Sequence, residues 1–238
     1  MTKVGRPPQD PARHVERANR ILDAAAELIG RWGYDKTTID DVAKQAGVAK
    51  GTIYLHWRTR DTLFAALLRR ERVRMLEEVR RSGPTTPREL FAGIAAGLLR
   101  RPLLKAALVG DSEVLGKLVR QKRHGPGAMD LGEAFDAYYA ELTASGAARD
   151  LSGDHVLMIG SIMYGFLTVP WLLPGGPPPE ERLAALLADM IERAIGTGRA
   201  LPPDAVRAVE RATLDYLATI ADVAQRKLAD SLSPSRSV

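Results

Sequence analysis

The spacing of apolar residues along the chain is helical almost throughout. Apolar residues recur at intervals of three and four, and no stretch alternates β-branched and polar residues between hairpin turns. The first such stripe runs from Ala18 to Trp32 and is followed by Gly33, a residue type that commonly ends a helix. The pattern therefore predicts an all-α protein.

Shorter helical patterns follow this first stripe. Thr38 stands three residues before Asp41, which is the spacing of a capping box at the start of a helix, and Gly47 supplies a stop. A run rich in Gly, Pro, Ser and Thr at 82–87 marks a boundary between two halves of the chain. Before this boundary the patterns predict a second, a third and a long fourth helix over 39–46, 49–57 and 60–81.

Beyond the boundary the chain continues as helical segments separated by Gly- and Pro-containing spacers. We predict helices near 86–100, 102–121, 128–146, 153–173, 180–197 and 203–230. We therefore expect four regions: a flexible basic arm over 1–14, a small helical domain over 15–82, a larger helical domain over 83–230 and a disordered tail over 231–238.

One segment, from Val156 to Pro179, contains no charged residue and is long enough to cross a bilayer. Gly, Ser, Thr and Pro residues interrupt it and no basic cluster flanks it closely, so we expect no membrane span. A helix that is apolar on all sides must be covered on all sides in a water-soluble protein. A partner subunit is the simplest cover, and the segment therefore favours a dimer.

Composition excludes several classes of chemistry. The 238 residues include no Cys, so disulfides, thiol nucleophiles and thiolate-bound metals are absent. The four His residues have no close metal-ligand spacing, and we expect neither a metal site nor a cofactor. The first twenty residues lack the apolar core of a signal peptide, so a cytoplasmic location is expected.

Charge is distributed unevenly along the chain. Residues 1–83 hold 17 Lys and Arg against 11 Asp and Glu, whereas residues 84–238 hold 17 against 18. All of the net charge of +5 therefore comes from the small N-terminal domain. A basic small domain joined to a near-neutral larger one indicates a nucleic-acid contact at one end and a different task at the other.

The segment 38–57 combines a helix, a tight Gly-containing turn and a second helix, the arrangement of a helix-turn-helix unit. The second helix begins with Lys50, Gly51 and Thr52, which would face outward from its N-terminal turn. Lys donates to guanine or phosphate oxygens, and the hydroxyl and methyl of Thr suit a base edge or a thymine methyl. This chemistry favours double-stranded DNA as a partner.

The run from Gly33 to Leu63 closely resembles the DNA-binding domain of the TetR family of bacterial transcriptional regulators. The resemblance rests on its Gly-aromatic, Thr-Thr-x-x-x-Val-Ala, Ala-Gly-Val, Lys-Gly-Thr-x-Tyr-x-His-aromatic and basic-x-x-Asp-x-Leu elements. It implies a three-helix helix-turn-helix domain, linked by a long fourth helix to a larger helical domain that binds a ligand and forms the dimer. The remaining two thirds of the chain agree only in length and helical layout.

The resemblance also implies roles for individual residues. Lys50 and Thr52 correspond to base-facing positions, and the expected contacts with the DNA backbone are Thr37, Thr38, Tyr54, His56 and Arg60. Other readings remain open, since Thr38 would serve equally as a helix cap and Tyr54 and His56 would serve in packing. Arg6, between Gly5 and Pro7, is a candidate for the minor groove, against an ordinary solvated tail.

The larger domain contains aromatic and flexible apolar side chains that suit a pocket for a lipophilic effector. The candidates are Phe91, Met129, Phe135, Tyr138, Tyr139, Met158, Tyr164 and Phe166, each of which would also serve as plain core. His155 and Arg120 are candidates for selecting a polar group of the ligand. The helices over 153–173 and 180–197 resemble the dimer-forming pair of the family, with Met163 and Leu187 expected at the interface.

These observations predict a ligand-responsive repressor that binds a near-palindromic operator as a homodimer and is released by a small, largely apolar effector. An enzyme is not expected, because none of the common catalytic sequence motifs is present. The alternative is an effector-independent architectural or cell-division DNA-binding protein on the same fold.

Overall fold

A computed structural model describes residues 11–110 and 126–233, and in this part of the chain the regular structure is helical. The predicted all-α fold is therefore confirmed. In chain order the helices are α1 Pro11–Trp32, α2 Ile39–Ala46, α3 Lys50–His56, α4 Arg60–Ser82, α5 Pro87–Leu99, α6 Pro102–Val109, α7 Pro126–Ala144, α8 His155–Thr168, α9 Glu180–Ile195 and α10 Pro203–Leu232, with a short 3₁₀ turn at Val169–Trp171.

Helices α1, α2, α3 and the start of α4 enclose one hydrophobic core, and we call this unit the head. The apolar stripe predicted for the first helix is buried here, together with Tyr34, Ile53 and Phe64. Helix α1 begins at Pro11, in accord with the tolerance for proline in the first turn of a helix. The arm predicted over 1–14 is therefore too long, because residues 11–14 are already helical.

Helix α4 is shared between the head and the rest of the molecule. Leu63 and Leu67, near its start, belong to the core of the head, whereas Leu76 and Val79 belong to a second and larger core. This second core is formed with helices α5 to α10, which we call the effector domain. The linking role predicted for the fourth helix is confirmed.

The effector domain is organised around α4, α5, α9 and α10. Helix α9 packs along α5, and α10 packs along both α4 and α7. The buried residues of α9, including Leu183, Leu187 and Ile191, are covered by its own subunit. The expectation that Leu187 lies between subunits is therefore wrong, because α5 already covers that face of α9.

The uncharged segment forms α8 and the 3₁₀ turn that contains Pro170, followed by an exposed loop. Within the described ranges no helix has the length and apolarity required to cross a membrane. Only Ile159 and Leu167 of α8 are buried, and one side of the helix is open to solvent. Met163, the other residue expected at an interface, is half-buried and packs against the core of its own subunit.

The C-terminal helix is longer than its pattern predicted. The tail expected to be disordered was 231–238, but α10 continues through Leu232, and Ser231 and Leu232 contact the head. The physical reason is that the carbonyl groups at the end of α10 accept hydrogen bonds from side chains of the head. The predicted helix over 102–121 ends at Val109, beyond which Gly110 adopts a φ of 76°; residues 111–125 lie outside the described part of the chain.

Candidate nucleic-acid interface

Helix α2 is fixed at both ends by local hydrogen bonds of its caps. The Thr38 hydroxyl accepts from the backbone N–H of Asp41, and the Asp41 carboxylate accepts from the backbone N–H of Thr38, which completes the predicted capping box. The Thr38 hydroxyl also donates to the Asp41 carboxylate, and this bond, together with that from the Thr38 backbone N–H, lowers the pKa of Asp41. At the other end Gly47 adopts a φ of 64°, a left-handed conformation that favours glycine. Helix α3 is thereby held across α2 in one orientation.

The solvent-facing side of α3 carries the predicted base-reading residues. Lys50 is exposed, and its Nζ lies 2.8 Å from Asp40 Oδ2. The hydrogen bond to Asp40 raises the pKa of Lys50, so the side chain carries a positive charge at neutral pH. Thr52 is half-buried, one turn of the helix behind Leu55.

Gly51 is exposed on the same side of α3, and a Cβ placed on it would meet no atom within 4 Å. Its φ is not in the left-handed region either, so neither backbone conformation nor internal packing requires a glycine here. Glycine at an exposed helical position lowers helix stability relative to alanine. The missing side chain leaves room for the close approach of another molecule.

Tyr54 and Leu55 extend the exposed side of α3, with 43% and 54% of their surfaces accessible. Tyr54 is therefore at the surface and not packed in the core, and its contact with the DNA backbone stays a prediction. Leu55 was missed by the sequence reasoning, because a leucine in a helical pattern is usually assigned to the core. Its exposure beside Lys50 and Tyr54 makes it a candidate for apolar contact with a thymine methyl.

His56 differs from its predicted role as a phosphate contact. Only 4% of it is accessible, and its ring lies 4.0 Å from the ring of His14 and 5.2 Å from that of Trp57. Burial, together with the nearby His14 and Arg17, lowers the pKa of His56 to about 4, so the ring is neutral at pH 7. A neutral, buried imidazole is a packing group, which agrees with the alternative reading of this residue.

Thr37 is also buried, and its hydroxyl donates to the backbone carbonyl of Gly33 at 2.8 Å. Its side chain thus stabilises the turn before α2 instead of facing solvent. Thr38 is exposed, but its hydroxyl is engaged in the capping box. Any contact of these two threonines with phosphate would use the backbone amides at the start of α2.

Arg60 holds the same turn from the start of α4. Its guanidinium lies 4.2 Å from the centre of the Tyr34 ring and donates to the backbone carbonyls of Asp35 and Thr37 at 3.3 Å. Burial and the hydrogen bond from the Tyr34 hydroxyl to Asp61 raise the pKa of Tyr34 to about 12. Arg60 is about one third exposed, so it stabilises the turn and still presents charge at the surface.

Several predicted site residues fall outside what the structure describes. Arg6 and Arg120 lie in undescribed segments, and Met129 lies in α7 at a position where only the backbone is described. Within the described ranges, no group of three His, Asp or Glu side chains is arranged to hold a metal ion.

The effector domain brings four of the predicted ligand residues into one aromatic cluster. Phe91 meets Phe135 edge to face, with ring centres 6.4 Å apart, and Phe135 lies 6.4 Å from Tyr138. Tyr139 stacks on His155 at 4.2 Å, and His155 lies 5.7 Å from Phe135. The ring of Phe135 is thus at the centre of the cluster.

Sequence reasoning missed Tyr216 of α10, which completes this cluster. Its ring stacks on Tyr138 at 4.7 Å with an interplanar angle of 6°, and burial raises its pKa to about 12. The Tyr138 hydroxyl lies 3.1 Å from Thr213 Oγ1, also on α10. The cluster thus includes the last helix as well as α5, α7 and α8, and only the fold reveals this contribution.

Next to the cluster is an open cleft of about 410 Å³ between α7, α8 and the loop that joins them. Tyr139 and His155 form one wall, and the Nε2 atom of His155 lies 2.9 Å from Asp136 Oδ1. Asp150 and Gly153 contribute to the opposite side. The cleft therefore combines aromatic faces with carboxylates at its rim.

The remaining predicted ligand residues are not part of this group. Phe166 is half-buried against the core of the effector domain, and Met158 is half-buried on α8. Tyr164 is 52% exposed on the open side of α8, together with Val156 and Leu157. Its position is that of a surface residue, so its assignment to an internal pocket is wrong.

Comparison with known proteins places the chain in a family. Residues 21–67 match the model of the bacterial regulatory proteins, tetR family. The HTH-type transcriptional repressor Rv1474c of Mycobacterium tuberculosis is 37% identical over 192 residues, which cover 75% of this chain and 92% of that protein. The fatty acid metabolism regulator protein of Bacillus subtilis is 37% identical over 60 residues, or 25% of this chain and 31% of that protein.

The fold agrees with these matches. A solved structure described as a TetR-family transcriptional regulator from Rhodococcus sp. has a TM-score of 0.58 and 23% identity, and covers 76% of this chain and all of that chain. The mycobacterial relative aligns over far more residues than the head contains, so its similarity extends into the effector domain. The chain belongs to the TetR family of bacterial regulatory proteins.

Proposed function

We propose that this protein is a homodimeric, ligand-responsive repressor whose two heads bind successive major grooves of a near-palindromic operator. The single observation that carries the proposal is the exposed side of α3. It presents Lys50, Tyr54 and Leu55 around Gly51, a glycine that no contact among the described residues requires. Lys50 and Thr52 read bases, while Tyr54, Arg60 and the amides at the start of α2 contact the backbone.

The open side of α8 supports a dimer. Val156, Leu157 and Tyr164 expose between 50% and 69% of their surfaces, and Gly160 lies between them with no atom within 4 Å of a Cβ. Leu172 and Met190 extend the exposed apolar surface beyond α8. A two-fold axis through this face would pair it with itself, and such self-complementarity is the usual basis of a homodimer.

The aromatic cluster and its cleft are the proposed effector site. The rings of Phe91, Phe135, Tyr138 and Tyr139 favour a small and largely apolar molecule, and the carboxylates at the rim can orient a donor group. The name of the Mycobacterium tuberculosis relative, a transcriptional repressor, supports negative regulation.

Ion pairs link α4 to the effector domain, so movement there reaches the head. Arg101, which precedes α6, pairs with Glu78 and lies 3.7 Å from Glu71, and both acids are on α4. An effector in the cleft that shifts α8 would also shift α6, which packs against α8, and would thereby move α4 and change the separation of the two heads. Because half-sites are about 34 to 36 Å apart per helical turn of DNA, a few Å of misfit prevents both heads from binding at once.

The test is a selection of bound duplexes from a random pool with the full-length protein. A two-fold symmetric consensus is expected, and its loss in Lys50→Ala would tie the readout to α3. Enrichment of no sequence would overturn the repressor proposal. If no compound of a broad apolar screen weakens binding to the consensus duplex, the effector-independent alternative is favoured.

A further inference from the structure

The end of α10 is attached to the head through side chains of three different head elements. The Nε1 of Trp57 donates to the backbone carbonyl of Ser231 at 2.9 Å, and the Nε2 of His14 lies 3.2 Å from that of Leu232. Arg69 donates to the Ser231 hydroxyl. Since a carbonyl only accepts hydrogen bonds, the His14 ring must carry its proton on Nε2.

These contacts replace the bonds that the end of a helix otherwise lacks. The last four carbonyls of an α-helix have no partner within the helix and together carry a partial negative charge. Here Trp57, His14 and Arg69 supply donors to that end, and Leu232 packs against the core of the head. The head thus caps α10, although more than 170 residues separate Trp57 from Ser231 in sequence.

The attachment point lies directly behind the reading helix. Trp57 is the first residue after α3, its backbone N–H donates to Ile53, and only 3% of it is accessible. His56, the last residue of α3, is packed between His14 and Trp57. Because α3 is only about 10 Å long, any shift of its C-terminal end also reorients Lys50 at its N-terminal end.

The other contacts of α10 are in the effector domain. Tyr216 stacks on Tyr138, and Thr213, which is fully buried, bonds to the Tyr138 hydroxyl. Fifteen residues of helix separate Tyr216 from Ser231, a rise of about 22 Å. A single rigid element thus joins the aromatic cluster to the end of α3, in addition to the covalent connection through α4.

We infer that α10 is a positioning strut for the reading helix: it fixes the angle of α3 relative to the effector domain and transmits movement of the Tyr138–Tyr216 stack to it. A head held by α4 alone can rotate about that helix, whereas a second attachment restricts the rotation. The inference rests on the proposed function for its consequence, which is control of operator binding. Trp57 acts here through α3 and is a positioning residue, not a DNA contact.

The first experiment needs no DNA. Amide hydrogen exchange is measured on the full-length protein and on two variants: Trp57→Phe, which replaces the indole by a smaller aromatic ring and removes the Nε1 donor, and a chain shortened after Asp230. Exchange at residues 53–57 should accelerate about fivefold or more in both, since one hydrogen bond contributes about 1 kcal/mol, while α5 is unchanged. The controls are Trp32→Phe, at an exposed position of the head, and a chain shortened after Ser233.

Transmission is tested at the far end of the strut. Tyr216→Ala removes the stack on Tyr138, and exchange at 53–57 should accelerate although the substitution is about 22 Å away along the helix. Leu214→Ala, at an exposed position of the same helix, is the control. Unchanged exchange at 53–57 in the shortened chain or in Tyr216→Ala overturns the inference.

The second experiment separates positioning from general stabilisation. Affinities for the selected operator and for a scrambled duplex are compared by fluorescence anisotropy. The variants that lose this attachment should bind the operator several-fold more weakly, whereas their affinity for the scrambled duplex should be nearly unchanged. The reason is that contacts with phosphate do not require both heads to be in register. Equal losses on both duplexes would indicate a merely structural role and overturn the inference. If no operator can be selected, the proposed function fails, and hydrogen exchange still decides whether the strut exists.

Discussion

Lys50 Nζ lies 2.8 Å from Asp40 Oδ2, so the lysine that faces the proposed major groove is already paired with a carboxylate of the preceding helix. Half of the lysine side chain and two thirds of the aspartate are accessible, so the pair is open to solvent and contributes little to stability. DNA bound at α3 would therefore compete with Asp40 for this charge, and the Asp40 carboxylate would repel its phosphates.

Asp40→Asn should consequently strengthen DNA binding. We expect a several-fold gain on operator and scrambled duplexes at low salt, shrinking as salt rises, because the change is electrostatic. Anisotropy titrations across a salt series provide the measurement. Asp215→Asn changes net charge equally but lies on α10, and a gain of the same size in that control would contradict a local effect.

Gly51→Ala should separate folding from DNA binding. The position is exposed and helical with open space around it. Alanine should therefore leave the unfolding free energy unchanged or raise it by up to about 1 kcal/mol, and the melting temperature should not fall. Operator affinity should fall at least tenfold if DNA approaches the backbone there. Gly30→Ala, also exposed and helical in the head, is the matched control for stability and should bind DNA normally.

Leu157→Glu should prevent dimer formation without unfolding the subunit. Leu157 is 69% exposed in the isolated chain, so a charge there costs nothing in the monomer but is buried without a partner in a self-paired α8 face. Sedimentation velocity at micromolar concentration should detect a shift from dimer to monomer. Val206→Glu, at an exposed position of α10, should remain dimeric; a wild-type protein that sediments as a monomer would disprove the interface.

The depressed pKa of His56 predicts loss of stability in acid. His56 titrates near 4 in the folded state and near 6.5 when unfolded, so the unfolded state binds the extra proton between these values. The stabilisation is complete above pH 6.5 and decreases as pH falls toward 4, by at most about 1.4 kcal/mol per pH unit. His14 and Arg17, which face His56 from α1, oppose its protonation.

Urea unfolding at pH 7 and pH 5 measures this effect. The wild type should lose more unfolding free energy between the two values than His56→Phe, which keeps an aromatic ring beside Trp57 but does not titrate. An equal loss in both proteins would assign the pH dependence to other groups.

Arg70 is expected to be the most sensitive charged residue of the α1–α4 contact. Its side chain is 4% exposed, pairs with Asp23 at 2.8 Å and donates to the backbone carbonyl of Asn19 at 3.0 Å. Arg70→Ala leaves the Asn19 carbonyl without this donor, whereas Asp23, whose side chain is 60% exposed, is solvated instead, so the change should cost about 1 to 3 kcal/mol of unfolding free energy. Arg74→Ala, on the same helix but 47% exposed, should cost less than about 1 kcal/mol, and equal losses would refute the assignment.

Local patterns in the sequence were sufficient for the helices and for the reading unit. The Thr38–Asp41 capping box, the turn at Gly47 and the exposed start of α3 involve residues within a few positions of each other, so spacing and residue type define them. The same holds for the long apolar stripe of α1. In each case the energy that selects the structure comes from hydrogen bonds or packing within one or two turns.

Tertiary structure alone decided which side chains are buried. His56 and Thr37 have polar side chains suited to phosphate, yet packing of α1 and of the turn at Gly33 buries both. Leu187 has the pattern of an interface residue, but α5 of the same subunit covers it. Burial is the sum of contacts with distant segments, so no local pattern contains it.

The sequence determined that α10 is a helix and that it must pack somewhere. Only the fold decided that its end is capped by Trp57, His14 and Arg69, and that Tyr216 joins the aromatic cluster. Helix formation depends on neighbours three and four positions away, whereas the partners of the last carbonyls depend on where α4 directs the chain. The partners of these carbonyls, Trp57 and His14, lie 174 and 218 residues away in sequence, beyond the reach of any periodicity.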